Sequence, residues 1–101
     1  MKTIHTIPNE WQNIAQLFIA LGDAHRQRIL LAFEKDERLN ILQIAAASTL
    51  SRTAVTHHLK ILHQSGALSS EKVGKEVFFW VNKNFMTNAI HNVLHYIETE
   101  I

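Results

Sequence analysis

Apolar residues three or four positions apart divide most of this chain into amphipathic segments. Their spacing predicts helices over residues 9–21, 24–35, 41–47, 52–64 and 83–99. Each predicted helix begins at or just after a residue whose side chain can accept a hydrogen bond from a free backbone N–H. These predicted N-caps are Asn9, Asp23, Asn40, Ser51 and Asn82.

A different pattern occupies the region between the last two helices. Residues 76–81, EVFFWV, are mostly β-branched or aromatic, and Gly74-Lys75 separates them from residues 68–73. This predicts a β-hairpin. We therefore expect a mainly α fold with a small β-hairpin, in the order four helices, two strands and a final helix. No linker-like segment divides the chain, so residues 1–101 are predicted to form a single domain.

Two short helices joined by a tight turn and followed by a hairpin are typical of a winged helix-turn-helix. Here the pair would be residues 41–47 and 52–64, with residues 48–50 as the turn. The second helix has an apolar stripe and a polar outward face without a single acidic residue. The stripe consists of Val55, Leu59 and Leu62.

The outward face of helix 52–64 suits a polyanion, because a carboxylate there would repel phosphate, whereas hydroxyl and basic groups donate to phosphates and base edges. Lysines near the hairpin tip could follow a neighbouring groove. The predicted DNA contacts are Ser51, Arg52, Thr53, Thr56, His57, Lys60, Lys72 and Lys75.

Charge supports this interpretation only locally. The whole chain has a formal net charge of +1, but residues 51–83 contain five basic and two acidic residues, a net charge of +3. A locally basic segment favours a polyanion partner. The alternative is an ordinary solvated face, in which case the winged helix would be a protein-interaction module without specific DNA binding. That module would tolerate Thr56→Ala and Lys60→Glu.

Other classes of function find little support. The chain has no cysteine, which excludes disulfides and thiolate metal sites and is compatible with a cytoplasmic protein. Its apolar runs are too short to span a membrane, and the N-terminus has no signal-peptide pattern. We find no catalytic constellation and no phosphate-cradling glycine-rich loop, so we expect no enzyme activity.

Three stretches resemble the ArsR/SmtB family of bacterial winged-helix repressors. LGDAHRQRIL at 21–30 is similar to the family's opening motif, and SRTAVTHHLKIL at 51–62 resembles its recognition helix. GAL at 66–68 is similar to the start of the family's wing. The resemblance covers residues 11–98 and implies a DNA-binding repressor with a palindromic operator.

The resemblance also assigns roles to single positions. His58 matches a family histidine near the DNA backbone, although a half-buried histidine bonded within the domain is an equal alternative. Thr49 stands where the family usually has glycine in the turn. Because a β-branched residue disfavours positive φ, we expect this turn to be strained or reshaped.

The family implies a homodimer built from the first and last helices, 9–21 and 83–99. Independently, these helices carry more apolar surface than the remaining helices can cover. The alternative is that both helices cover only their own core. The residues predicted to form the interface are Trp11, Phe18, Met86, Ile90 and Ile97.

The metal sites of the best-known family members are not retained. Their cysteine pair falls on Asn40 and Leu42, and their zinc ligands fall on residues that include a cation and a phenyl ring. Those zinc positions are Lys83, Phe85, Tyr96 and Thr99. We predict no cofactor. A pocket for an organic ligand at the dimer interface, or no effector, is favoured.

A non-standard metal site remains as an alternative on the last helix. His91 and His95 are spaced i, i+4, with Glu98 one turn further on. His5 could join them only if the N-terminal arm folded over that helix. A polar helix face is the commoner explanation of this spacing.

Overall fold

The computed structural model describes residue 1 and residues 5–101. Its helices are Ile14–Leu21 (α1), Ala24–Ala32 (α2), Ile41–Ala46 (α3), Arg52–Gln64 (α4) and Lys83–Glu100 (α5). Its strands are Leu39–Asn40 (β1), Leu68–Val73 (β2) and Glu76–Val81 (β3). A 3-10 turn over Asn9–Trp11 precedes α1.

The predicted fold class is confirmed, with one added strand. β2 and β3 form the predicted hairpin, in which Ser69 pairs with Trp80. β1 pairs antiparallel with the other edge of β3, placing Leu39 opposite Phe79, so the sheet order is β1-β3-β2. A strand of two residues is too short to produce an alternating pattern, and sequence analysis therefore missed it.

The first predicted helix is wrong in its N-terminal half. Residues 9–11 form the 3-10 turn, and Asn9 lies within it rather than capping an α-helix. Asn13 then adopts a left-handed conformation, with φ at +67°, so that α1 begins only at Ile14. Asparagine tolerates this conformation better than most residues.

Two smaller boundary differences have local causes. α2 ends at Ala32 rather than residue 35, because Phe33 is extended and its side chain packs against the core. α3 ends at Ala46, with Ala47 as its C-cap.

Four predicted N-caps are confirmed. The side chains of Asp23, Asn40, Ser51 and Asn82 accept hydrogen bonds from the backbone N–H three residues later. The cap at α3 is reciprocal, since Gln43 Oε1 also accepts from the N–H of Asn40. These contacts satisfy helix donors that would otherwise lack partners.

Of the two outcomes expected for the turn at Thr49, strain from a positive φ is absent. Among the described residues, Asn13 and Asp36 are the non-glycine positions with positive φ, and Thr49 is not one of them. The hydroxyl oxygen of Ser48 accepts from the N–H of Leu50 at 3.0 Å and so closes the turn. This turn therefore needs no glycine.

The core lies where α1, α4 and β2 meet. Its most fully buried side chains are Leu17, Val55, Leu59, Leu62 and Leu68. None of the described helices combines the length and the apolar composition that crossing a bilayer requires.

Candidate nucleic-acid interface

The two faces of α4 are as different in the structure as in the sequence. Val55, Leu59 and Leu62 are buried against the core. The opposite face is open to solvent along the length of the helix. Its exposed side chains are Arg52, Thr53, Thr56, His57 and Lys60. Burial of the stripe fixes the rotation of α4, and the core therefore determines which side chains a ligand would meet.

Hydroxyl groups give the first half of α4 a defined hydrogen-bonding pattern. Ser51 Oγ accepts from the N–H of Ala54 at 3.1 Å. Thr56 Oγ1 donates to the carbonyl of Arg52 at 2.9 Å. The hydroxyl hydrogen of Thr56 is thus committed to the helix, which leaves its oxygen as an acceptor and its methyl group as an apolar contact.

The wing brings a further cation beside α4. β2 and β3 are joined at Gly74-Lys75, and Gly74 has φ at +64°, which a glycine adopts without strain. Lys72 and Lys75 are both exposed. Arg52 and Lys75 line one groove of about 140 Å³ between α3, α4 and the wing. Two residues predicted separately as DNA contacts therefore border the same groove.

The acidic residues of the wing are engaged within the protein. Glu71 forms an ion pair with Arg38, with an N–O distance of 2.8 Å, and Arg38 also stacks 3.9 Å from the centre of the Trp80 ring. Glu76 accepts a long hydrogen bond of 3.5 Å from Asn40. These contacts hold both carboxylates near neighbouring side chains, while the wing lysines remain exposed.

Arg26 connects the end of α1 to α4, and sequence analysis missed it. Only 9% of this residue is exposed. Its guanidinium donates to the carbonyls of Ala20 and Ile19, at 2.8 Å and 3.0 Å. It also lies 3.3 Å from Nδ1 of His58. Its burial could have been recognised from the sequence, because Arg26 lies three residues before the buried Ile29 and therefore on the same inward side of α2.

His58 is half-buried and bonded within the domain, while its predicted contact with the DNA backbone stays a prediction. Because Arg26 can only donate, Nδ1 of His58 must accept, and the neutral ring carries its proton on Nε2. Burial lowers the pKa of His58, and the charges of Arg26, His57 and His25 lower it further, against the opposing charge of Asp23.

This arrangement predicts a pH-dependent stability. The pKa of His58 in the folded protein lies below its ordinary value of 6.5, because the folded state favours the neutral ring. The contribution of neutral His58 to the free energy of unfolding is therefore complete above about pH 6.5. It is lost as the pH falls through the pKa of the folded state. We expect the free energy of unfolding to fall more steeply on acidification in the wild type than in His58→Gln, whose amide oxygen can still accept from Arg26. Urea unfolding at a series of pH values measures this, and parallel curves would contradict it.

Comparison with known proteins identifies this geometry. Residues 23–68 match the model of a family described as winged helix-turn-helix DNA-binding. The chain is 31% identical over 87 residues to a transcriptional repressor SmtB homolog of Synechocystis sp., a match that covers 86% of this chain and 65% of the relative. It is 26% identical to the transcriptional repressor SdpR of Bacillus subtilis, over 80% of this chain and 89% of SdpR.

A solved structure agrees over nearly the whole fold. The ArsR-like transcriptional regulator from Rhodococcus sp. RHA1 is 26% identical, with a TM-score of 0.79, and the match covers 92% of this chain and 86% of that one. The chain is similar to the ArsR/SmtB family over most of its length. Members of this family are DNA-binding transcriptional regulators and not enzymes.

The familiar ArsR/SmtB metal positions do not fit a metal here. Leu42 has no ligating atom, and Lys83 is an exposed cation. Phe85 has a packing role instead: a Cβ added to Gly66 would lie 2.7 Å from its ring. His91 and His95 stack, with ring centres 6.2 Å apart, but the described residues contain no group of three potential ligands arranged to hold a metal ion. His5 is exposed and joins no such group.

The residues predicted for an ArsR/SmtB dimer interface divide into two groups. Trp11 and Met86 are half-buried and pack against their own protomer, Trp11 edge-on to Tyr96 at 5.5 Å. Phe18, Ile90 and Ile97 remain exposed, at 46%, 45% and 47%. Sequence analysis missed further exposed apolar residues on the same two helices. These are Ile19 on α1 and Leu94 on α5.

Proposed function

We propose that this chain is a homodimeric transcriptional repressor of the cytoplasm that binds a palindromic DNA site through α4 and the wing. The observation that carries the proposal is the exposed, acid-free face of α4 beside Lys75 of the wing. Similarity to winged helix-turn-helix DNA-binding proteins and to a transcriptional repressor supports DNA as the partner.

The side chains of this face suit two kinds of DNA contact, with base edges and with phosphates. Arg52 can donate in bidentate fashion to a guanine edge, and the methyl group of Thr56 suits a thymine methyl. Lys60 and the wing lysines suit phosphates, which position the protein without reading sequence. Thr53 and His57 lie between these groups on the exposed face and complete the proposed base-reading set.

The dimer is proposed from the apolar surface that each protomer leaves uncovered. Phe18, Ile90 and Ile97 are the members of the predicted interface that a partner would bury most, while Trp11 and Met86 would support them from beneath. A two-fold dimer would place its two α4 helices in successive major grooves, about 34–36 Å apart. Its operator would then be an imperfect palindrome.

The experiment that tests this function is a genomic DNA selection with the purified protein. We expect enrichment of a promoter palindrome whose half-sites are about one helical turn apart. A protein-interaction module would enrich no sequence above the unselected library, and that result would overturn the proposal. The variant Thr53→Ala provides a second test, since it should lower the affinity for the selected DNA more than the affinity for random DNA.

An organic ligand at the dimer interface, or no effector, is favoured over a metal. An open hollow of about 510 Å³ lies over Val81, Met86 and Ile90, on the face that the dimer would bury. A ligand enclosed there would contact both subunits.

We expect divalent metals to leave DNA binding unchanged. Leu42, Lys83 and Phe85 cannot replace the family's metal ligands, and His91 with His95 provides only two. Titration of the DNA complex with zinc, nickel and copper, followed by fluorescence anisotropy, measures this. Release of DNA that is abolished by His91→Ala would instead establish the non-standard site on α5.

A further inference from the structure

We propose that α2 supplies a second contact with the DNA backbone, beside α4. In this inference His25 and Arg28 of α2, with the hydroxyls of Ser48 and Thr49, bind one phosphate flanking the groove that α4 enters. We call these four residues the α2 rim. The inference rests on the proposed function, because it assumes that α4 binds DNA.

The α2 rim borders a cleft of about 390 Å³ between α2, α3 and the turn that leads into α4. His25 also reaches α4 directly, since its ring centre lies 5.7 Å from that of His58. The ring of His57, on the exposed face of α4, lies 5.7 Å from His58 in turn. The rim is therefore continuous with the proposed DNA-binding face.

The side chains of the rim are arranged as donors. Arg28 Nη2 lies 2.7 Å from His25 Nδ1, and because arginine can only donate, His25 carries its own proton on Nε2. That N–H and the remaining guanidinium N–H groups are available to an acceptor. Ser48 Oγ accepts from the N–H of Leu50, so its own hydrogen is also available. Phosphate oxygens are the acceptors that such a charge-assisted set favours.

The charge at the rim is not neutralised by the protein. Within the described part of the chain, Arg28 forms no ion pair with a carboxylate. Glu34 and Glu37 line the same cleft beyond the C-terminal end of α2, where Glu37 accepts from the N–H of Glu34 at 3.1 Å. The end of the cleft nearest α4 thus presents an exposed cation with several donors, which complements an anion rather than a neutral ligand.

The salt dependence of DNA binding tests this contact. Each phosphate contact contributes about 0.9 to the slope of log affinity against log salt. In a dimer, Arg28→Gln should therefore reduce the magnitude of this slope by about 1.8. When salt rises from about 0.05 M to about 0.2 M, the variant should then lose roughly tenfold less affinity than the wild type. Lys35→Gln is the matched control, because it removes the same charge from an exposed residue just beyond α2.

Equal slopes for Arg28→Gln and Lys35→Gln would overturn the inference. If Lys60→Glu still weakens binding in that case, the proposed function stands and only the α2 rim fails. If the wild-type protein binds no DNA, both fail together.

Two further variants distinguish a phosphate contact at His25 from the effect of the charge of Arg28. His25→Ala should weaken binding to the selected site and to random DNA by the same factor, because a phosphate contact carries no sequence information. Arg28→Lys should retain most of the salt slope, because it keeps the charge. Thermal unfolding is compared for every variant, since all the altered side chains are exposed and should leave stability close to that of the wild type. A change confined to the selected site in His25→Ala would contradict a phosphate contact.

Discussion

Lys60→Glu is expected to weaken binding to all DNA by about a hundredfold or more at moderate salt. Lys60 is exposed on the outward face of α4, one turn beyond His57. In the proposed dimer the substitution would remove two phosphate contacts and introduce two carboxylates that repel the DNA backbone. Fluorescence anisotropy with the selected site and with random DNA, at one fixed salt concentration, measures the effect.

Lys35→Glu is the control for this change. It reverses the same charge on an exposed side chain of the loop after α2, beside the end of β3 that is opposite the hairpin tip. We expect Lys35→Glu to lower affinity only slightly, through the net charge of the protein. If both reversals weakened binding equally, overall charge rather than the α4 face would account for the interaction.

Ile90→Glu is expected to convert the dimer to a monomer. Ile90 is 45% exposed and lies on α5, one of the two helices proposed to associate. Two-fold symmetry would place two unpaired carboxylates in a largely apolar contact. We therefore expect the dissociation constant of the dimer to rise by about three orders of magnitude. Sedimentation velocity over a range of concentrations measures this, and affinity for the palindrome should fall with it.

Leu31→Glu distinguishes this effect from a general loss of exposed apolar surface. Leu31 is 84% exposed but lies on α2, outside the helices proposed to associate. Its substitution should leave the dimer intact. Circular dichroism should show native helix content in both variants, because neither residue belongs to the buried core. A dimeric Ile90→Glu protein would place the interface elsewhere.

Much of the fold was predictable because its elements follow simple periodicities. The stripe of Val55, Leu59 and Leu62 fixed the extent and rotation of α4, and the EVFFWV segment identified β3. The caps at Asp23, Asn40 and Ser51 were also recognisable, since they depend on contacts three residues apart. Local hydrogen bonding and local spacing are the information that a sequence displays most directly.

The features that could not be predicted depend on single residues or on distant contacts. Nothing in the apolar spacing marks Asn13 as left-handed, although this residue divides the first predicted helix. Arg26 and His58 are 32 residues apart, and their contact exists only because α1, α2 and α4 pack together. The α2 rim was likewise hidden, because His25 and Ser48 lie on different elements.

The structure refines the predicted site rather than replacing it. Apart from His58, the predicted contacts of α4 are all exposed on one side of the helix, and Arg52 and Lys75 border one groove. His58 is instead the acceptor for a buried arginine that reaches the carbonyl end of α1.

The two α4 helices of one dimer are proposed to occupy successive major grooves. The most direct test of this arrangement is the affinity for the selected palindrome after insertion of five base pairs between the half-sites, which turns one half-site to the opposite face of the duplex. We predict a loss of at least about a hundredfold, toward the affinity for random DNA. Unchanged affinity for the altered site would contradict binding of both α4 helices to one face of the duplex.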